Sequence, residues 1–151
     1  MHRIVFICHG NICRSPMAEF VLKDMVKKLG ISEDFFIESR ATSTEEIGNG
    51  VHRGTRQKLA QLGISTSGKT AVQLKKSDYE KYDMLICMDT ANVLNTTRII
   101  GTDNKDKVRR LLSFAGEKGD IADPWYTGNF DETYDDVLRG CEGLLKSLGY
   151  K

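Results

Sequence analysis

The sequence predicts an α/β fold in which a four-stranded parallel sheet carries helices on both faces. Two observations lead there: short apolar or β-branched runs alternate with stretches of helical periodicity, and no linker, repeat or low-complexity segment interrupts them. Strands that alternate with helices are joined by crossovers, and crossovers place helices over both faces of a parallel sheet. The expected arrangement is doubly wound, flavodoxin-like or Rossmann-like. Residues 1–151 are expected to form one domain, long enough to bury a real core.

The first strand is expected at Ile4–Ile7, a short β-branched run. Met17–Leu29 then carries a helical pattern, introduced by Pro16, which suits the first helical position because a helix leaves its first amides unpaired. Phe35–Ser39 reads as a strand and Val51–Leu62 as a helix, followed by a shorter helix near Lys75–Lys81. The apolar run Met84–Met88 is a third strand, Ala91–Arg98 a short helix, and Val108–Phe114 a fourth strand. The last helix is the clearest, with Tyr134, Val137, Leu138, Cys141, Leu144, Leu145 and Leu148 on one face. In such a sheet the active site belongs at the carboxyl ends of the strands.

The segment Cys8-His9-Gly10-Asn11-Ile12-Cys13-Arg14-Ser15-Pro16 lies at that edge. It sets a thiol and a guanidinium at the two ends of a seven-residue loop that opens a helix. Up to six backbone N–H groups, His9 to Arg14, can converge on one spot, and a nest of amides at a helix N-terminus is a ready anion site. Gly10 and Asn11 are the residue types that most easily take a positive φ. Arg14 adds a planar fork able to hold two phosphate oxygens. Amide dipoles and a nearby cation lower a thiol from its usual value of about 8.5, so Cys8 is expected to be a thiolate, with the Ser15 hydroxyl donating to it. A buried structural cysteine would leave Arg14 and Ser15 unexplained. Metal binding by Cys8, His9 and Cys13 does not match zinc spacings, and Arg14 would repel the cation; no metal and no cofactor are expected.

These residues, spelled CHGNICRSPMAE, resemble the low-molecular-weight protein tyrosine phosphatases. Asp123-Pro124-Trp125-Tyr126 resembles a second signature of that family, and Asp78–Asp83 with Ile86–Asp89 extend the likeness over essentially the whole chain. The resemblance implies a protein tyrosine phosphatase, a phosphoric monoester hydrolase that passes through a phosphocysteine. Cys8 is then the nucleophile, Arg14 and the loop amides bind phosphate, and Asp123 is the general acid and base. Expelling a phenol of pKa about 10 at neutral pH requires a proton donor, and Asp123 is expected to keep its proton through burial and the neighbouring phosphate dianion.

The remaining assignments carry two readings each. Trp125 and Tyr126 either cover core or, by resemblance, one or both wall a slot, with Ile12, deep enough to select phosphotyrosine over phosphoserine and phosphothreonine. By resemblance Cys13 traps an oxidised Cys8 as a disulfide; otherwise it is a small buried side chain. Asn11 and Ser39, by resemblance, hold the phosphate loop; they, Asp89 and Asn92 are equally ordinary turn or cap residues. His9 is expected to point outward and His52 to lie on the surface. Lys105, Lys107, Arg109 and Arg110 read as a solvated face, and Cys87 and Cys141 as core. Thr44–Gly48 departs from the family: Glu45 and Glu46 stand where many relatives carry an aromatic, which should favour basic over acidic phosphopeptides.

A net charge of +1 gives no sign of a nucleic-acid or membrane partner. Four cysteines without regular spacing favour a reducing compartment, and no apolar run suits a signal peptide or a membrane span, so the cytoplasm is expected. The expected partners are phosphotyrosine proteins or peptides, with inorganic phosphate as product and competitive ligand. Three other readings fit the residues less well. Thioredoxin-coupled arsenate reductase needs two further relay cysteines, which Cys87 and Cys141 do not supply. A phosphoarginine phosphatase carries Thr where this chain has Ile12. A non-catalytic phosphate-binding module needs neither the Cys8 thiolate nor the Asp123 acid.

Overall fold

The computed structural model describes residues 1–150. Four strands, β1 (His2–Cys8), β2 (Phe35–Ala41), β3 (Met84–Cys87) and β4 (Val108–Arg110), form one parallel sheet in the order β2-β1-β3-β4. The helices are α1 (Arg14–Lys28), α2 (Arg53–Ala60), α3 (Asp78–Lys81), α4 (Thr90–Ile100), α5 (Pro124–Thr127) and α6 (Phe130–Ser147). The expected fold class is the observed one.

The two-residue repeat of β1 explains the layering. Ile4 and Phe6 face one way, into a core with Met17, Leu22, Leu59, Val137, Cys141 and Leu144 of α1, α2 and α6. Val5 and Ile7 face the other, against Leu74, Tyr79, Tyr82 and Ile100. All four are fully buried, as a central strand covered on both faces must be. Cys87 and Cys141 are core residues as expected, one on each side of the sheet. Among the described residues no helix is long and apolar enough to cross a membrane.

The fourth strand is shorter than the sequence suggests. It ends at Arg110, and Leu111–Ala115 turns into a 3₁₀ helix. β4 is an edge strand whose only neighbour, β3, is four residues long, so pairing stops at Cys87↔Arg110. Leu111 and Leu112 gain burial by packing on α6 instead. That approach requires glycine: a Cβ on Gly140 would lie 2.4 Å from Leu111 Cγ, and one on Gly143 would lie 2.1 Å from the Phe114 carbonyl oxygen. Other boundaries shift less. α1 begins at Arg14, which makes Pro16 its third residue, where the backbone N–H is still dispensable. α2 and α3 are shorter than their apolar patterns, and α5, a single turn, was legible only as an Asp-Pro pair.

Candidate active site

β1 ends at Cys8, and the chain wraps through Cys13 into α1. Four of the loop's carbonyls are bonded to neighbouring segments. Cys8 O accepts from the Thr42 N–H, His9 O from the Ser43 N–H, and Ile12 O from the His52 N–H. Cys13 O accepts from the Thr55 hydroxyl. A trans peptide directs N–H opposite to C=O, so the amides that follow, of His9, Gly10, Cys13 and Arg14, point into the loop. The Asn11 N–H lies 3.3 Å from Cys8 Sγ. The positive φ expected at Gly10 or Asn11 falls on Asn11, at 59°.

Asn11 is buried and its amide is fully used. Oδ1 accepts from the Val72 N–H at 3.1 Å, while Nδ2 donates to Ser15 Oγ at 2.8 Å and to Ser39 Oγ at 2.9 Å. The Ser15 hydroxyl, already accepting from Asn11, keeps its own proton for Cys8 Sγ, 3.0 Å away. Ser39 donates onward to Glu19, a buried carboxylate that also pairs with Lys23 and lies 3.6 Å from Lys69. Burial pulls the Lys69 ammonium down despite that carboxylate. The three support residues expected from the sequence, Asn11, Ser15 and Ser39, are thus bonded to one another, in a chain that reaches 28 positions from the loop to β2.

Arg14 is only 3 % exposed. Its Nη1 donates to Asp89 Oδ2 at 2.6 Å and to the Ile121 carbonyl at 2.9 Å, and its Nη2 lies 3.5 Å from Asp123 Oδ2. Burial alone would lower the guanidinium, but Cys8, Asp89 and Asp123 outweigh it and raise it. By sequence Asp89 is a short polar residue that fits an ordinary turn or cap. It is indeed the cap of α4, through a reciprocal pair with Asn92, yet its second oxygen holds the arginine. With Nη1 occupied, Nε and Nη2 remain for a ligand in the loop.

Asp123 caps α5, with Oδ1 accepting from the Trp125 N–H at 3.0 Å. The burial expected for it is partial, its side chain being 26 % exposed at the cleft edge. The segment before it is braced from β4: Arg110 donates to the Lys118 and Gly119 carbonyls, and Thr90 holds Asp120. The basic run is thus only partly a solvated face, since Lys107 likewise donates to the Tyr79 carbonyl.

These groups line one cleft of about 210 Å³. The buried Cys8, Ile12, Cys13 and Arg14 form its floor, and the more exposed His9, Gly10, Glu45, Glu46, Asp123, Trp125 and Tyr126 stand around it. Trp125 and Tyr126 are 59 % and 85 % exposed, so they wall the cleft and cover no core. His9 points outward, as expected, and pairs with Glu45. Burial first, then Cys8 and Asp123, push the Cys13 thiol up to about 12. Among the described residues no His, Cys, Asp and Glu cluster could hold a metal ion.

The arrangement offers a sulfur nucleophile, an anion cradle and a carboxyl group at the exit. Residues 3–151 match the family model described as low molecular weight phosphotyrosine protein phosphatase. The low molecular weight protein-tyrosine-phosphatase YfkJ of Bacillus subtilis is 37 % identical over 150 residues, 98 % of this chain and 96 % of the relative. The crystal structure of YfkJ superposes with a TM-score of 0.94, covering 98 % of this chain and 94 % of that one. SP-PTP, a low molecular weight protein tyrosine phosphatase from Streptococcus pyogenes, gives a TM-score of 0.89 at 39 % identity, covering 100 % and 95 %. DARP, a drosophila arginine phosphatase, also gives 0.89, at 27 % identity and 98 % coverage of both chains.

Proposed function

This chain belongs to the low molecular weight phosphotyrosine protein phosphatase family, a family of enzymes, and from that premise we propose that it hydrolyses phosphotyrosine in proteins and peptides through a phosphocysteine at Cys8. One observation carries the residue roles: the Cys8 sulfur and the Arg14 guanidinium are buried together at the phosphate loop, and the Asp123 carboxyl lies 3.5 Å from that guanidinium.

In the first step Cys8 Sγ attacks phosphorus, the P–O bond to the phenol breaks, and Asp123 delivers its proton to the leaving oxygen. In the second, Asp123 takes a proton from water, whose oxygen attacks phosphorus and releases Cys8 and inorganic phosphate. Arg14 and the amides hold the equatorial oxygens in both, and preorganised donors of this kind supply most of the stabilisation in phosphoryl transfer. Asp89 fixes the plane of the guanidinium by occupying Nη1. Cys13 lines the same floor and is held as a neutral thiol, which suits a group that stays idle until peroxide converts Cys8 to a sulfenic acid. The Cys13 sulfur then bonds to the Cys8 sulfur as the S–O bond breaks, and the departing hydroxyl leaves with the Cys13 proton as one water.

A relay of the arsenate-reductase kind finds no support, because Cys87 and Cys141 are fully buried on opposite sides of the sheet. The likeness to an arginine phosphatase keeps phosphoarginine as the second reading. Ile12, apolar and at the cleft floor, favours a phenol over a guanidinium. The test is turnover in EDTA of matched phosphotyrosine and phosphoserine peptides and of phosphoarginine. The phosphotyrosine peptide should be fastest, with inorganic phosphate inhibiting competitively; a faster reaction with phosphoarginine would overturn the assignment.

The rim supports a charge preference. Glu45 and Glu46 line the cleft, whose basic residues, among the described residues, are His9 and the deeply set Arg14. At low salt a phosphotyrosine peptide flanked by lysines should show kcat/KM about three- to tenfold above its Glu-flanked counterpart. The gap should close in salt and in the Glu45→Gln, Glu46→Gln double variant; equal values for wild type at low salt would remove the preference.

A further inference from the structure

Trp125 is 59 % exposed, so the core does not fix its ring. Among the described residues that ring meets one other, His52, edge-on at 5.5 Å and 74°. His52 is itself held from three directions. Its backbone N–H donates to the Ile12 carbonyl at 2.8 Å, and its Nδ1 accepts from the Gly54 N–H at 3.0 Å, capping α2. Its ring stacks on Phe130 at 5.3 Å and 16°. Phe130 lies so close over Gly54 that any Cβ there would come within 2.2 Å of the ring, and it also packs against Ile12, Cys13 and Ala71. One residue therefore joins three parts of the site: its backbone N–H holds the phosphate loop, and its ring meets the start of α2 and the segment that carries Asp123 and Trp125.

We propose that His52 is a positioning residue that sets selectivity for aryl phosphates by holding the Trp125 ring as the wall on which a substrate ring stacks. The inference rests on the phosphotyrosine reading of the cleft. Edge-to-face ring pairs prefer a defined geometry, and a side chain already ordered before binding loses less freedom when the substrate arrives. A ring-bearing ligand gains from that preordering. Inorganic phosphate, which reaches only the amides and Arg14, does not.

The test compares competitive inhibition by benzylphosphonate and by inorganic phosphate. The variant His52→Asp keeps a cap acceptor for α2 but removes the ring, whereas His52→Phe keeps a ring and loses the acceptor. In His52→Asp the ratio of the two inhibition constants should shift against benzylphosphonate by about three- to tenfold, and in His52→Phe it should return toward the wild-type ratio. Trp125 is the only tryptophan, so its fluorescence reports the wall without any turnover: acrylamide should quench it more readily in His52→Asp than in the other two proteins. An unchanged ratio and unchanged quenching in His52→Asp would overturn the proposal, as would a His52→Phe protein that behaves like His52→Asp. Failure of wild type to bind either inhibitor would instead sink the phosphatase reading beneath it.

Discussion

Replacement of Cys8 by serine is expected to lower turnover of an aryl phosphate by about 10⁴-fold or more while leaving phosphate binding within a few-fold of wild type. The two halves of that result have separate causes. Binding is carried by the inward amides of the loop and by Arg14, which are held by bonds to Thr42, Ser43, His52, Thr55 and Asp89. Turnover needs an anionic nucleophile at that point. The groups that face Sγ are the Asn11 N–H and the Ser15 hydroxyl, which suit an anion already formed but offer no base to take a proton from an alcohol. A hydroxyl there stays protonated and unreactive. The measurements are single-turnover hydrolysis of p-nitrophenyl phosphate and calorimetric titration with phosphate. Residual turnover within tenfold of wild type would remove Cys8 as the nucleophile, and loss of phosphate binding would mean that the sulfur also holds the loop.

The phosphate loop was legible because its chemistry needs contiguous residues: nucleophile, amides, guanidinium and helix start all come from one stretch. Asp89 was not, although it binds Arg14 directly. It lies 75 positions away, and it reaches the arginine only because β3 runs parallel beside β1 with Ile7 opposite Cys87. A strand-end carboxylate beside a nucleophile-bearing loop is the signal that could have found it. His52 was read as a surface residue for the same kind of reason, since its ring contacts come from α6 and α5, far along the chain. The run Val108–Phe114 shows the other limit. Its apolar content fits a strand or a buried turn equally, and the length of β3 and the bare surface at Gly140 and Gly143 decided between them.

Asp123→Asn is expected to slow a phosphotyrosine peptide by about 10²–10⁴-fold and p-nitrophenyl phosphate much less in the step that breaks the ester. Phenols differ in how much they need a proton as they leave. Tyrosine needs one, whereas the more acidic nitrophenol departs as an anion, so loss of a proton donor separates the two substrates. Asparagine is the cleaner substitution here. Asp123 Oδ1 caps α5 by accepting from the Trp125 N–H, and an amide oxygen preserves that bond while supplying neither an acid nor a base. Alanine would also remove the cap, a loss of about 1 kcal/mol, and would disturb the Trp125 wall. The same carboxyl serves the second step, so p-nitrophenyl phosphate should give the Asn variant a rapid burst of about one nitrophenol per enzyme followed by slow turnover, as phosphocysteine accumulates. Equal losses on both substrates with no burst would show that Asp123 acts through its contact with Arg14 or by holding the wall, and would leave the proton donor to be found elsewhere in the cleft.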